Sequence, residues 1–102
     1  MLFRSDIRSA AFGVNDRDQV VGLSRGGPHG LRAFLWANGV MTDLNDLTFP
    51  GSPYLLYAND INDSGELVGE ALDLATGEAP AFRAIPVHVG NSMMMGGRNA
   101  SP

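Results

Sequence analysis

The phrase VNDRDQVVG, Val14 to Gly22, returns later in the chain as INDSGELVG, Ile61 to Gly69. Placing Ala11 on Ala58 aligns AFGVNDRDQVVG with ANDINDSGELVG at an offset of 47. A second anchor follows in the same order, Ala33-Phe34 against Ala81-Phe82, at an offset of 48. Two ordered anchors with nearly equal spacing mark an internal duplication. Duplication constrains the fold strongly, because a unit repeated at this period buries its apolar face against a neighbouring copy rather than alone.

Each copy reads as antiparallel β. In the first, AAFGVN and QVVGLS flank Asp16-Arg17-Asp18; in the second, the connection is Asp63-Ser64-Gly65. A three-residue hairpin is commonly a type I turn followed by a left-handed residue. Gly65 suits that position, and Asp18 is among the few other residue types that tolerate it. Asn15 and Asn62 stand at the turn entrances, where asparagine hydrogen-bonds local backbone. Further on, Asn38-Gly39 between LRAFLW and VMTDL is a short-hairpin signal. The expected strands are 10–15, 19–24, 31–37 and 40–44, then 55–61, 66–73 and 79–85, with the fourth strand of copy two undefined. DLNDLTFP has room for one helical turn before Pro50, and no longer helix is expected.

The strands lack strict alternation: QVVG, AFLW and YLLYA set apolar residues side by side, which predicts sheets that are dry on both faces. Such sheets are covered by helices in α/β proteins, and none are available here, so the expected cover is a sister sheet. The sequence therefore predicts an all-β chain of two blade-like antiparallel repeats of about 47 residues, resembling a fragment of a β-propeller. The expected organisation is a lead-in over 1–10, repeat one over 11–57, repeat two over 58–87 and an irregular tail over 88–102. The expected signature residues are Asn15, Asp16, Gly22, Phe34 and Trp36 in copy one, and Asn62, Asp63, Gly65, Gly69 and Phe82 in copy two.

The order A-x-x-[VI]-N-D-x-x-[QE]-[VL]-V-G, then AFLW, then NG-V-M-x-D-L, resembles the HAF repeat, a tandem repeat of bacterial proteins. It covers residues 11–47 well and 54–85 in part. Arg32 and Pro80 replace the histidine of the repeat's name, and Arg83-Ala84 stand where copy one has Leu35-Trp36. The resemblance implies a propeller-like repeat protein, extracellular or periplasmic, and carries no catalytic residues with it. The N-terminus, with arginines and an aspartate among its first residues, does not read as a signal peptide.

Propellers close with about four to eight blades, and two copies would leave end faces open. One face, four strands at ~4.8 Å by roughly 17–20 Å, has an outline of about 350 Å². If largely apolar, it forgoes up to about 8 kcal/mol at ~25 cal/mol per Å². The expected partners are therefore further copies of the repeat, in the same chain or another. Nucleic acid is not expected: the net charge is −4, there is no lysine and the seven arginines are scattered, whereas phosphate binding needs clustered cations. No apolar run approaches the roughly 20 residues of a membrane-spanning helix. Without cysteine, there are no disulfides, thiolate metal sites or cysteine nucleophiles.

Candidate site residues are few. His29, in RGGPHG, and His88 lack partners at diagnostic spacing for a metal or a catalytic triad. No nucleophile elbow surrounds Ser24. The glycines at 26, 27 and 30 lack the helix and lysine of a phosphate cradle. Asp16, Asp18, Asp63 and Glu66 are weak calcium candidates, since the turns offer two or three oxygens where calcium takes six to eight. Phe34, Trp36 and Phe82 either pack between sheets, the favoured reading, or form a sugar platform. Three consecutive methionines in the tail, Met93 to Met95, carry no defined role. No catalytic residue, cofactor or metal is assigned. The reading is a non-catalytic structural or protein-interaction module. The alternatives are a carbohydrate- or ion-binding module, or a subunit or fragment of a propeller hydrolase.

Overall fold

Turn chemistry divides the chain into short strands that pair with their sequence neighbours. The computed structural model describes residues 8–26, 29–89 and 92–99, with side chains over 8–26 and 29–86. Strands β1 (Arg8–Val14), β2 (Val20–Arg25), β3 (Leu31–Ala37) and β4 (Val40–Asp43) form one antiparallel sheet in that order. Strands β5 (Tyr54–Ile61), β6 (Leu67–Leu72), β7 (Ala81–Val89) and β8 (Ser92–Asn99) form a second of the same topology. Neither sheet closes on itself. Among the described residues the only helical element is one 3-10 turn, Leu44–Asp46, which Asp43 caps by accepting from the Asn45 N–H.

The hairpin expectations hold in detail. Asp18 and Gly65 have φ of 56° and 83°, and both residues of the Asn38-Gly39 turn have positive φ, 53° and 79°, as a two-residue primed turn requires. Two expectations are corrected. The tail expected to be irregular supplies β8, because β7 extends past Ile85 to Val89 and the chain folds back along it. The repeat boundaries at residues 11 and 58 cut through β1 and β5, since β1 starts at Arg8 and β5 runs across residue 58.

Paired residues in an antiparallel ladder point to the same side, so the register sorts each sheet into two faces. Sheet one has a glycine face, Val14, Val20, Gly22, Phe34 and Trp36, and a valine face, Gly13, Val21, Leu23, Ala33 and Leu35. The equivalent glycine face of sheet two is Ala58, Ile61, Leu67, Gly69, Phe82 and Ala84, and its valine face holds Tyr57, Asp60, Val68, Glu70 and Arg83. The buried core joins Val21, Ala33, Leu35 and Leu44 to Leu55, Ala58, Ile61, Leu67, Ala71, Phe82 and Ala84. The valine face of sheet one is thus packed on the glycine face of sheet two. Unlike faces meet, so the stacking is front to back.

The glycines explain how closely the strands approach. A Cβ on Gly69 would lie 2.0 Å from the Tyr57 carbonyl oxygen and 2.8 Å from Cε1 of Phe82, so the Phe82 ring occupies the glycine's vacant side. Gly22 stands in the same register to Phe34, and its Cβ would lie 1.9 Å from the Ala10 carbonyl oxygen. Both glycines lie opposite strands with β-bulges, at Ala11/Gly13 in β1 and at Leu55/Tyr57 and Ala58/Asp60 in β5. Such bulges bend the strand that carries them and increase its local twist.

Candidate interaction surface

Asn15 and Asn62 organise their turns identically. Each Oδ1 accepts two backbone N–H groups, from Arg17 and Gln19 in the first turn and from Ser64 and Glu66 in the second. Each Nδ2 donates to the side-chain oxygen four residues on, Gln19 at 2.8 Å or Glu66 at 2.9 Å. The Gln/Glu position of the repeat is therefore an acceptor for the turn asparagine. The alignment gives Gln19 and Glu66 as a conservative pair, but the bond itself requires coordinates.

The two turns also lie on one another. Asn15 Nδ2 donates to the Asn62 carbonyl at 2.8 Å, and the Asp16 N–H donates to Asp63 Oδ1 at 2.8 Å, each across a separation of 47 residues. Equivalent positions of the two copies are thus bonded directly, and the signature residues serve both as turn formers and as the inter-sheet seam. Asn15, buried by the second turn, uses both functions; Asn62 is exposed.

The seam places like charges together. The Asp16 carboxyl is raised above its ordinary range by its hydrogen bond with Asp63 first, then by the Asp63 charge. Glu66 is lowered, first by the Asn62 amide and then by Arg83, whose guanidinium lies 2.8 Å from Glu66 Oε2. Of the calcium candidates, Asp63 thus accepts from Asp16 and Glu66 is held by Asn62 and Arg83. No group of three or more acidic or histidine side chains with metal-binding geometry occurs among the described residues.

The aromatic candidates separate. Phe82 packs in the inter-sheet core, whereas Phe34 is fully buried but lies on the opposite face of sheet one, outside that core. Trp36 shares that face and is only half-buried, in register with Val20 and Met41. The expected burial of Phe34 and Trp36 between the sheets is therefore corrected, because the front-to-back arrangement turns their face away from sheet two. His29 is exposed, with its ring 4.4 Å from that of Tyr54, whose hydroxyl donates to the Leu31 carbonyl. Ser24 is fully buried. The side chains of His88 and of Met93 to Met95, and residues 27 and 28 of the glycine loop, lie outside what the structure describes.

The two outward faces differ in chemistry. On the valine face of sheet two, Glu70 and Arg83 replace the Leu23 and Leu35 of sheet one. Glu70 accepts the Tyr57 hydroxyl, and this bond, with partial burial and the carboxylate charge, raises the tyrosine above its usual range. Arg83 is more than half exposed, at 53% of its side chain. The expectation that both faces of each sheet are dry is thus corrected for sheet two. The outward glycine face of sheet one instead keeps an apolar row, Val14, Val20, Trp36 and Met41, with Val14 65% exposed.

Beside sheet two, the loops over 48–53 and 73–80 flank a cavity of about 360 Å³ whose lining includes Leu55, Phe82 and Ala84. No described helix is long and apolar enough to cross a membrane. Comparison of the chain with protein-family models, with curated proteins and with solved structures found no match.

Proposed function

We propose that the chain is a non-catalytic repeat module of the HAF type, whose blade-like sheets act as structural or protein-interaction units within a larger stack. The observation that supports this reading is the seam between equivalent residues, Asn15 to Asn62 and Asp16 to Asp63. Front-to-back stacking is heterologous: each unit carries both halves of the joint, so the arrangement can be extended by further units into a ring or an open array. Equal faces meeting across a twofold axis would close after two copies; unlike faces do not.

The test is an added unit. A chain running through residues 1–54 and then 8–102 duplicates the first sheet at the native 47-residue spacing. The added valine face then meets the glycine face of the original sheet one. The expected outcome is a single unfolding transition at a higher Tm than that of the parent, since each new interface adds to the stability of a repeat stack. An unchanged or lower Tm overturns the reading.

A carbohydrate-binding reading has one observation in its favour, the half-exposed Trp36 on an outward face. Titration of the single tryptophan's fluorescence with oligosaccharides tests it, and a flat response removes it.

A further inference from the structure

We infer that the outer edge of β8 is a self-association edge: the β8 strands of two copies of this chain pair antiparallel about a twofold axis at Gly96 and join their second sheets into one. The contact uses a different surface from the front-to-back stack and stands or falls independently of it.

A sheet edge presents a row of N–H and C=O groups, and proteins blunt it with bulges, short strands, proline or lysine. Three of the four sheet edges here carry such a device. β1 has a bulge at Ala11/Gly13, β5 has bulges at Leu55/Tyr57 and Ala58/Asp60, and β4 is only 4 residues long. Where β7 outlasts β6, beyond the pair Leu67↔Ala84, it carries Pro86. β8 has none of these. It runs for 8 residues, Ser92–Asn99, in unbroken register with β7. It contains no proline, lysine or acidic residue, and among the described residues no strand pairs with its outer side.

The register identifies the backbone groups on that side. The Ala71 N–H donates to the Pro80 carbonyl at 2.9 Å, so Pro80 turns its carbonyl towards β6. In an antiparallel ladder the N–H and C=O of one residue face the same neighbour, and successive residues alternate. The even-numbered residues of β7, Pro86 included, therefore face the β6 side and the odd-numbered ones face β8. Pro86 thus lacks its N–H on the open side of β7, where no ladder bond is lost. Across the pairs Arg83↔Arg98 to Val89↔Ser92, residues 92, 94, 96 and 98 bond β7, and residues 93, 95, 97 and 99 turn outward.

This outward set is complementary to itself. A new antiparallel partner must oppose each outward residue with another. Centring two β8 strands on Gly96 sets 93 opposite 99 and 95 opposite 97, which uses every outward group of both strands. Centring on Met95 leaves 99 opposite the β7–β8 turn, and centring on Gly97 leaves 93 past the end of the strand. In the Gly96 register Arg98, the only charged residue of β8, stands opposite Met94 and not opposite its own copy, so like charges do not meet. Gly96 meets itself on the axis, at a non-hydrogen-bonded position where facing Cα atoms come within about 4.5 Å. Glycine inside a strand marks such a close approach of another backbone. The contact is isologous and closes at two chains.

Sedimentation velocity across a concentration series tests this on the parent, Met95→Pro, Gly96→Lys, Gly96→Glu and an equimolar mixture of the last two. Circular dichroism on each establishes that it is folded. Proline at 95 removes an outward N–H and leaves the bonds to β7. Charges at 96 oppose their like across the axis in the single variants and their opposite in the mixture. The expected parent moves with concentration from the mass of one chain to that of two, and Met95→Pro stays at one. Each Gly96 variant associates more weakly than the parent, and the mixture recovers. The inference is overturned by a parent that sediments as one chain throughout, by a folded Met95→Pro that associates as the parent does, or by a mixture that associates no better than its components. Hydrogen exchange reads the same edge: the parent protects the amides of 93, 97 and 99 as well as those of 94, 96 and 98, and Met95→Pro loses only the first set. Protection of the first set in a single-chain parent would give the edge to the chain's own residues 1–7 and overturn the inference. If Met95→Pro does not fold, the two Gly96 variants and their mixture decide alone. A stabilising duplication of residues 8–54 with a monomeric parent would remove the edge assignment and leave the repeat-module reading standing.

Discussion

Asn15 and Asn62 occupy the same place in the repeat, but only Asn15 has a copy stacked on its amide. Truncating Asn15 to alanine strands two backbone N–H groups of its turn and removes the inter-copy donor to the Asn62 carbonyl, which keeps the Gly65 N–H. Each unpaired buried polar group costs about 1–3 kcal/mol. Truncating Asn62 disrupts only its own turn, which is exposed to water. Asn15→Ala is therefore expected to cost about 1 kcal/mol more than Asn62→Ala, read from urea denaturation midpoints at constant m. Asp16 gives a pH signature at the same seam. Its carboxyl is raised in the fold by Asp63, so the folded state holds the proton more tightly than the unfolded chain. Stability from this group is present at low pH and is lost as the pH rises through the raised value. Asp16→Asn removes the repulsion while keeping the backbone donor to Asp63. The variant should melt above the parent at neutral pH, with the difference closing on acidification. A gap that widens on acidification would contradict the assignment.

At the scale of elements, the strands and turns were legible because each rests on local chemistry. Asp18 and Gly65 at the left-handed positions, and Asn38-Gly39 between apolar runs, are short-range signals that the structure reproduces. The faces were not legible. A bulge shifts the side-chain alternation of a strand by one residue. β5 has two of them, at Leu55/Tyr57 and Ala58/Asp60. Adjacent apolar residues in YLLYA therefore reflect in part an interrupted register rather than two dry faces. β8 was missed because GGRN and the methionine run lack β-branched or alternating residues. Its pairing is supplied by β7, a tertiary partner that local sequence does not announce. The seam was half legible: the repeat showed that Asn and Asp recur at the turns, but the bond between copies depends on which faces meet.

At the scale of the molecule, one continuous core draws residues from both sheets, and this fixes how the chain unfolds. Phe82 is 2% exposed and its ring fills the space above Gly69. It also belongs to the cluster that holds Val21 and Leu35 of sheet one. Replacing it with alanine removes a buried aromatic and is expected to cost about 3–5 kcal/mol. If the sheets were independent units, amide exchange would accelerate in β6 and β7 and remain unchanged in β2 and β3. A shared core demands another result. Sheet one loses the surface that covers Val21 and Leu35 when sheet two opens, so protection in β2 and β3 should fall with that in β6 and β7. Hydrogen exchange of Phe82→Ala against the parent measures this, and unchanged protection in β2 and β3 would mean that the two copies fold as separate bodies joined only by their chain.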